Sequence, residues 1–278
     1  MPKSRFFMNT QYSVLLSLYY KERPEYLRES LDSLFRQTVP SDDIVLVEDG
    51  RVGDALERVV REYEDRYPQL HVVRYEKNRG LGHALNDGLR HCRHELVARM
   101  DTDDIAKPRR MEVQVGYLVE NPGVDVVGSW TEEFVGDASN VVALRKLPEF
   151  SQEIYTFGRK RNPLNHPTVM FRKGAVVRSG GYKPFHLFED YYLWVRMLKD
   201  GAKFHNIQAP LLSFRTSPAT YNRRGGWRYA MTELKFMLMM HDIGYTNQLT
   251  TLENVVRRIP VRLAPNKIRN MIYNLIRK

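Results

Sequence analysis

Three carboxylates stand together where a short apolar run ends. Residues 96–100 lead directly into Asp101, and Asp103 and Asp104 follow on the same turn. A hard cation such as Mg²⁺ is commonly held by one or two carboxylates together with phosphate oxygens of a substrate. The cluster therefore indicates a metal–diphosphate site. A helix predicted to begin near Pro108 leaves a second interpretation open, because Asp is also a common N-cap.

Acids also stand beside two other predicted elements. Asp49 follows a strand predicted at 44–47 and precedes Gly50, where a simple turn residue is one interpretation. Glu189 and Asp190 open a predicted helix rich in aromatic residues, where a carboxylate also stabilises the positive end of the helix dipole. Whether these acids act with the cluster depends on where the fold places them.

Strands and helices alternate through the first half of the chain. The patterns predict strands at 14–18, 44–47, 70–75 and 95–100, and helices from Pro24, at about 52–67 and at 81–92. Such alternation is typical of α/β proteins with a mainly parallel, Rossmann-like sheet and helices on both faces. Open α/β sheets bind ligands at the carboxyl ends of their strands, so Asp49 and the acidic cluster should lie along one edge.

The second half follows a less regular pattern. It predicts a strand at 124–130, a hairpin made of 132–135 and 141–147, a helix at 151–160 capped by Ser151, and a strand at 168–171. A loop punctuated by prolines precedes the last of these strands, and Gly180-Gly181 predicts a turn. No internal repeat and no low-complexity linker interrupts the sequence.

The overall charge favours anionic partners. With 43 lysines and arginines against 33 acids, the 278-residue chain carries a formal net charge of +10, which suits nucleotides, phospholipid head groups or nucleic acid. Its single cysteine, Cys92, excludes an internal disulfide and favours a reducing compartment. No segment approaches the ~18 apolar residues of a spanning helix, and the start lacks signal-peptide features. We therefore expect a cytoplasmic protein.

Familiar nucleotide-binding loops are not found. Gly80-Leu81-Gly82 follows a strand and opens a helix, as a dinucleotide fingerprint would, but Leu85 stands where the third glycine should be. The sequence contains no Gly-Lys-Ser/Thr loop of a P-loop enzyme. A nucleotidyltransferase would need a Gly-rich phosphate loop after the first strand, and residues 19–23 there contain no glycine.

In their order along the chain, several motifs resemble those of one enzyme family. They are Ser13-Val14-Leu15-Leu16, Leu31-Asp32-Ser33-Leu34-Phe35-Arg36-Gln37-Thr38, Val47-Glu48-Asp49-Gly50, Asn78-Arg79-Gly80-Leu81, Ala84-Leu85-Asn86, residues 98–104, His166-Pro167-Thr168-Val169-Met170, Glu189-Asp190-Tyr191 and Leu193-Trp194. The span from about Tyr12 to Arg215 resembles the family 2 glycosyltransferases, which are inverting enzymes with the GT-A fold. It is similar to bacterial exopolysaccharide and lipopolysaccharide enzymes of the amylovoran-biosynthesis type. The resemblance implies an α/β GT-A fold and sugar transfer.

The resemblance also implies a donor, a metal and an acceptor. Asp49 resembles the acid that accepts a hydrogen bond from the uracil ring of a UDP-sugar, and Asp101 resembles the acid that meets the ribose or the sugar. Asp103 resembles the acid that holds Mn²⁺ or Mg²⁺ against the diphosphate. Asp103 and Asp104 form an alternative working pair, so all three acids are kept. The implied acceptor is a glycan or a saccharide on polyprenyl diphosphate, and no nucleic acid partner is expected.

Further site residues follow from the same resemblance. Asp190, in the Glu189-Asp190 motif, resembles the catalytic base that takes the proton of the acceptor hydroxyl. His166 lies where family members place a loop near the acceptor or the diphosphate, with a structural histidine as the alternative. Arginine side chains suit phosphate groups, with a solvated basic surface as the alternative, and the candidates are Arg79, Arg99, Arg223 and Arg224.

The domain organisation follows from these assignments. We interpret residues 1–220 as the catalytic domain, with a nucleotide-binding half at about 1–104 and an acceptor half at about 105–220, and residues 221–278 as a basic helical C-terminal extension. The last 25 residues contain seven basic residues and no acid, and predict two helices interrupted at Pro260 and Pro265. A basic amphipathic pair suits an anionic membrane, which would place the enzyme peripherally at the inner face of the cell membrane. A packed helix pair with a solvated basic face is the alternative.

A hypothesis of another class stays open at this point. A non-catalytic basic protein could bind nucleic acid or an anionic membrane through its tail, with strongly salt-dependent affinity. The three clustered carboxylates argue against it, because they would repel phosphate unless a metal intervenes.

Overall fold

The structure is a computed structural model that describes residues 11–217 and 225–265. Within these two ranges the chain forms one nine-stranded sheet and nine α-helices. The predictions made for Arg223 and Arg224, for the domain boundary at 220, and for the tail beyond residue 265 lie outside the described residues.

The first half builds the parallel part of the sheet. Its elements are β1 (Tyr12–Leu18), α1 (Pro24–Phe35), β2 (Asp43–Glu48), α2 (Asp54–Arg66), β3 (Leu70–Arg74), α3 (Leu81–His91) and β4 (Leu96–Arg99). The strands pair in parallel in the order β3-β2-β1-β4, with Leu18 opposite Glu48 and Leu15 opposite Arg99. The predicted alternation of strands and helices is confirmed, with small shifts at the boundaries.

Side chains of the central strands enter cores on both faces of the sheet. On β1, Leu15 belongs to one core cluster, whereas Val14 and Leu16 belong to the other. On β2, Val45 and Leu46 divide in the same way. Because successive side chains of a strand point to opposite faces, a strand that is apolar throughout must be covered on both. Helix α3 covers the first core and helices α1 and α2 cover the second, as predicted.

The second half adds the mixed part of the sheet. Its elements are β5 (Ile105–Ala106), α4 (Arg110–Glu120), β6 (Val126–Phe134), β7 (Val141–Arg145), α5 (Ser151–Gly158), β8 (Met170–Arg172), α6 (Lys173–Arg178), α7 (Glu189–Lys199) and β9 (Phe204–Arg215). The sheet continues from β4 in the order β8-β6-β9-β5, with β7 paired to β6. The β4/β8, β6/β8, β6/β7 and β5/β9 pairs are antiparallel, whereas β6 and β9 pair in parallel, so this half of the sheet is mixed.

Three local predictions in this half differ from the structure. The strands predicted at 124–130 and 132–135 are one strand, because β9 pairs with β6 along its whole length. Ser151 does not cap α5, because its Oγ accepts a hydrogen bond from the Phe204 amide at 3.2 Å and so ties the helix start to β9. The strand predicted at 168–171 begins only at Met170, after a 3-10 turn that carries His166.

Two C-terminal helices follow, α8 (Trp227–Asp242) and α9 (Gln248–Leu263). The predicted interruption at Pro260 is wrong, because α9 continues through this residue to Leu263. A buried carboxylate on α8, Glu233, pairs with Arg258 and Arg262 on either side of the proline. These ion pairs hold both sides of Pro260 against α8, which explains why the helix persists where proline normally ends one.

Helix α8 shares its core with α7. Phe236, Met237 and Met240 pack into the cluster that contains Trp194 and Tyr191.

The division of the chain at residues 104 and 220 stays a prediction. No helix in the described part of the chain is both long and apolar enough to cross a membrane.

We expect Gly50→Ala to destabilise the protein more than Gly53→Ala. Both glycines have positive φ angles, +88° and +90°, so alanine is strained at either position by about 1–2 kcal/mol. Only at Gly50 would the added Cβ also clash, 2.6 Å from the Asn78 nitrogen, whereas no heavy atom lies within 4 Å at Gly53. Urea unfolding at pH 7 should give a loss of about 3 kcal/mol or more for Gly50→Ala. Equal losses for the two variants would contradict this expectation.

Candidate functional site

The acids singled out in the sequence meet at one edge of the sheet. Asp49 follows β2 and Asp101 follows β4, and these strands flank β1 in parallel. The carboxyl ends of the three strands therefore face the same side, as predicted.

The turn after β4 brings its three carboxylates together. Ligand oxygens of Asp101, Asp103 and Asp104 all lie within 4.8 Å of one another. Burial, followed by the charges of Asp101 and Glu22, raises the pKa of Asp103 to about 7. Burial, followed by the charges of Asp103 and Asp101, also raises the pKa of Asp104, which is 0% exposed. Crowded, partly desolvated carboxylates of this kind are stabilised by a bound cation.

The donor set fits a hard divalent cation. All its atoms are carboxylate oxygens, which Mg²⁺ and Mn²⁺ prefer. Asp104 Oδ1 accepts a hydrogen bond from the Arg215 amide at 2.9 Å, while Oδ2 is buried with no hydrogen-bond partner among the described residues. The residues present can therefore hold Mn²⁺ or Mg²⁺ at this turn.

Arg215, at the end of β9, fixes the acidic turn from the far side. Its backbone amide donates a hydrogen bond to Asp104, and its Nε donates a second one to the Asp103 carbonyl at 2.9 Å. Its guanidinium pairs with Glu29 and lies 3.9 Å from the ring centre of Tyr26. Sequence reasoning missed this role because Arg215 lies more than 100 residues after the acids it contacts, and nothing in its local pattern marks it.

Arg99 lies buried between the acidic turn and Asp190. It is 2% exposed and pairs with Asp101, and its Nε and Nη1 have no hydrogen-bond partner within the described residues. Burial lowers the pKa of Arg99, but the charges of Asp101 and Asp190 outweigh it, so the pKa stays above its usual value. Arg99 therefore supplies a permanent positive charge beneath the site.

Asp190 stands at the start of α7 and accepts a hydrogen bond from Asn162 Nδ2 at 2.7 Å. Burial raises the pKa of Asp190, against the lowering effects of Asn162, Arg99 and Arg145. The neighbouring Glu189 instead packs towards α3, where a Cβ at Gly82 would lie 3.5 Å from its Cγ. The structure thus separates the two acids of the predicted motif. Asn162 was not identified from the sequence, because its partner lies 28 residues away.

His166 has a neutral ring. Its Nε2 lies 3.0 Å from the Tyr182 hydroxyl, and its ring contacts Trp194 edge-on. Burial, followed by the positive charge of Arg99, lowers the pKa of His166 well below its usual value. At neutral pH the ring can therefore accept or donate a hydrogen bond but carries no charge.

Asp49 and Arg79 occupy the loop before α3. The Asp49 carboxylate accepts hydrogen bonds from the amides of Arg79 at 2.7 Å and Gly80 at 2.9 Å. The Arg79 side chain pairs with Asp87 at 2.8 Å and lies over the ring of Tyr75. Asp49 therefore holds the loop in place, and Arg79 is already engaged by an acid of α3.

A cavity of about 620 Å³ connects the acidic turn with Asp190 and the C-terminal helices. Asp101, Asn162, His166 and Asp190 line one part of it. The basic residues that line it are Arg145, Lys160, Arg161, Arg257, Arg258 and Arg262. The carboxylates of Asp101 and Asp190, a neutral histidine and a basic region thus share one volume, which is large enough for a sugar and its attached phosphates.

Known proteins resemble this chain over nearly its whole length. A family model described as Glycosyl transferase family 2 matches residues 13–183. The UDP-Gal:alpha-D-GlcNAc-diphosphoundecaprenol beta-1,3-galactosyltransferase of Escherichia coli is 37% identical over 266 residues, 96% of each chain. The amylovoran biosynthesis glycosyltransferase AmsE of Erwinia amylovora is 39% identical over 267 residues, 96% of this chain and 99% of that one.

Solved structures share the fold. The mannosyltransferase PcManGT of Pyrobaculum calidifontis, solved with GDP-Man and Mn²⁺, superposes with a TM-score of 0.61 at 18% identity. The match covers 92% of this chain and 73% of that one. At this identity the likeness shows the architecture alone.

Proposed function

The chain belongs to the family 2 glycosyltransferases and has the GT-A fold, and from this premise we propose that it transfers a sugar from a UDP-sugar to a saccharide on polyprenyl diphosphate. Such a reaction would serve cell-surface polysaccharide synthesis. The observation that carries the proposal is that Asp101 and Asp190 line the same cavity. The names of the two bacterial relatives support the donor, the lipid-linked acceptor and the pathway class. Nothing in the matches supports the alternative of a non-catalytic basic protein.

Asp190 is the proposed general base. Its carboxylate takes the proton of an acceptor hydroxyl as that oxygen attacks the anomeric carbon of the donor. A new C–O bond forms while the bond from the anomeric carbon to the diphosphate breaks, and its electron pair leaves with the nucleoside diphosphate. Attack from the face opposite the leaving group inverts the configuration. Asn162 orients Asp190 through the hydrogen bond at 2.7 Å.

The acidic turn is the proposed metal and diphosphate site. A bound Mn²⁺ or Mg²⁺ would offset the negative charge that develops on the departing diphosphate. We assign Asp103 as the direct ligand, because it is less buried than Asp104, whose Oδ1 is occupied by the Arg215 amide. Asp104 then positions the turn. Asp101 is proposed to contact the ribose or sugar while paired with Arg99.

The remaining donor contacts are carried as proposals. Asp49 is proposed to accept a hydrogen bond from the uracil ring with lone pairs that the two loop amides leave unused. The positive charge of Arg99 is proposed to act on the diphosphate. The neutral His166 is proposed to lie near the acceptor or the diphosphate. Arg79 would have to leave Asp87 to reach a phosphate.

The test of this function is a panel of UDP-, GDP- and dTDP-sugars. Binding and slow hydrolysis of each are measured with Mn²⁺, with Mg²⁺ and with EDTA. We expect one nucleotide class, UDP, to bind in a metal-dependent manner and to be hydrolysed slowly. Absence of metal-dependent binding to every nucleotide sugar would refute the proposal.

We expect Asn162→Ala to move the acidic limb of the pH profile of kcat/KM upwards. The Asn162 amide stabilises the ionised form of Asp190, so removing this amide should raise the pKa of Asp190. The other charged groups that act on Asp190, which are Arg99, Arg145 and Glu189, are unchanged in the variant. The base is active above its pKa, so activity in the variant should fall at a pH about one unit higher. An unchanged acidic limb would show that Asn162 does not tune the base.

Peripheral membrane association is proposed as part of the same function. Along α9 the exposed Leu249, Leu252, Val256 and Leu263 form an apolar stripe beside the exposed Arg257, which suits an anionic bilayer surface. Leu252→Glu should weaken co-sedimentation with vesicles of anionic lipid by about tenfold. Leu238→Glu, at an equally apolar exposed position on α8, serves as the control. Equal effects of both variants would count against this face.

A further inference from the structure

We propose that the basic wall of the cavity binds the diphosphate of the lipid-linked acceptor, an inference that rests on the proposed function. The basic wall consists of Lys160 and Arg161, in the loop after α5, and Arg257, Arg258 and Arg262 on α9. All five residues line the cavity that also contains Asp101 and Asp190. The wall therefore belongs to the same volume as the reacting groups.

The basic wall has more cations than carboxylates to neutralise them. Glu253 is shared by Lys160 and Arg257, each at 3.2 Å. Glu233, on α8, is shared by the two other arginines of α9. Arg161 has no ion pair in the part of the chain that the structure describes. Five cations against two carboxylates leave a formal excess of three positive charges, which attracts a multiply charged anion.

The loop that carries part of the basic wall also holds the catalytic base. Arg161 directly precedes Asn162, whose side chain donates to Asp190. Helix α9 is fixed to the same loop through a hydrogen bond from Asn254 Nδ2 to the Arg159 carbonyl at 2.8 Å. An acceptor sugar with its hydroxyl at Asp190 thus shares the cavity with the basic wall. The diphosphate on the anomeric carbon of that sugar would contact this wall.

The two charged parts of the cavity suit diphosphates in different ways. At the acidic turn, carboxylates repel phosphate unless a metal lies between them. At the basic wall, guanidinium groups bind phosphate oxygens directly, without a metal. The leaving diphosphate of the donor and the resident diphosphate of the acceptor therefore have separate binding places, and only the first requires a divalent cation.

The experiment compares two ligands under two conditions. Inorganic pyrophosphate is titrated in EDTA at low ionic strength, and UDP is titrated with Mn²⁺. The double variant Arg161→Gln/Arg257→Gln should weaken pyrophosphate binding by about tenfold or more and leave UDP binding within about twofold. Lys235→Gln, an exposed charge on α8 outside the cavity, should change neither. Asp103→Asn should abolish the metal-dependent binding of UDP and leave pyrophosphate binding unchanged.

A transfer assay then identifies which substrate the basic wall binds. With a synthetic saccharide–diphosphate–undecyl acceptor, the double variant should raise the KM of the acceptor about tenfold and leave the KM of the donor unchanged. A raised donor KM with an unchanged acceptor KM would overturn the inference, as would metal-free pyrophosphate binding that the double variant retains. If the unaltered protein does not bind UDP in a Mn²⁺-dependent manner, the proposed function itself is refuted.

Discussion

Asp190→Asn is expected to lower kcat for sugar transfer by about 10²- to 10⁴-fold, the range that general base catalysis typically supplies. The amide cannot take the proton of the acceptor hydroxyl, so the attacking oxygen would have to lose its proton to water. The local structure should survive, because the new side-chain oxygen can still accept the hydrogen bond from Asn162. Donor affinity should stay within about twofold of the unaltered protein, since the altered group faces the acceptor.

Glu189→Gln is the informative comparison for this variant. Glu189 is the adjacent acid, yet it packs towards Gly82 of α3 rather than into the cavity. We expect Glu189→Gln to retain transfer within about tenfold, because loss of the Glu189 carboxylate disturbs packing without removing a proton acceptor from the site. The two variants are measured in single-turnover transfer assays at saturating donor. Unchanged transfer in Asp190→Asn would remove Asp190 from the mechanism, and a larger loss in Glu189→Gln would assign the base to its neighbour.

The sequence predicts the first half of the fold well because the signals there are local. Buried runs such as Val14–Leu16 on β1 need apolar cover on both faces, and each amphipathic helix that follows supplies it. The same local logic places Asp49 and Asp101 at one sheet edge. Family motifs then add the expected roles of the acids, which neither composition nor spacing supplies.

The sequence fails where contacts between distant segments decide the structure. Proline normally ends a helix, but α9 continues through Pro260, where ion pairs from Glu233 to Arg258 and Arg262 hold both sides of the proline against α8. Ser151 has the chemistry of a cap, but β9 takes its hydroxyl. The fixing of Asp104 by Arg215 spans 111 residues, and no local pattern marks either partner.

The C-terminal helices show the same limit. The C-terminal extension is predicted from the pattern of charged and apolar residues, but this pattern does not show that α9 lines the cavity. That placement depends on single contacts such as Asn254 to the Arg159 carbonyl, which are 95 residues apart. Of the basic residues predicted to face a membrane, Arg257, Arg258 and Arg262 lie in the described part of α9, and they have different ion-pair partners. Arg258 and Arg262 face inward to Glu233, while Arg257 lies beside the exposed stripe and also lines the cavity.

Asp103→Asn is expected to have opposite effects on metal-dependent function and on metal-free stability. In EDTA, burial and the crowding of Asp101, Asp103 and Asp104 within 4.8 Å disfavour the ionised form of Asp103, and asparagine removes that cost. The metal-free variant should therefore unfold at a urea midpoint equal to or above that of the unaltered protein. In saturating Mn²⁺ only the unaltered protein should gain stability, because ligand bound to the native state stabilises it in proportion to the logarithm of its concentration.

The same variant should lose transfer by about 10²-fold or more, since the ligand that offsets charge on the leaving diphosphate is gone. Asp65→Asn, an exposed acid on α2, controls for the loss of one negative charge and should change neither stability nor transfer. Asp104→Asn separates ligation from positioning, because asparagine keeps an oxygen for the Arg215 amide. If Asp104→Asn abolishes Mn²⁺-dependent stabilisation while Asp103→Asn retains it, the metal ligand is Asp104 and the assignment of the turn must be reversed.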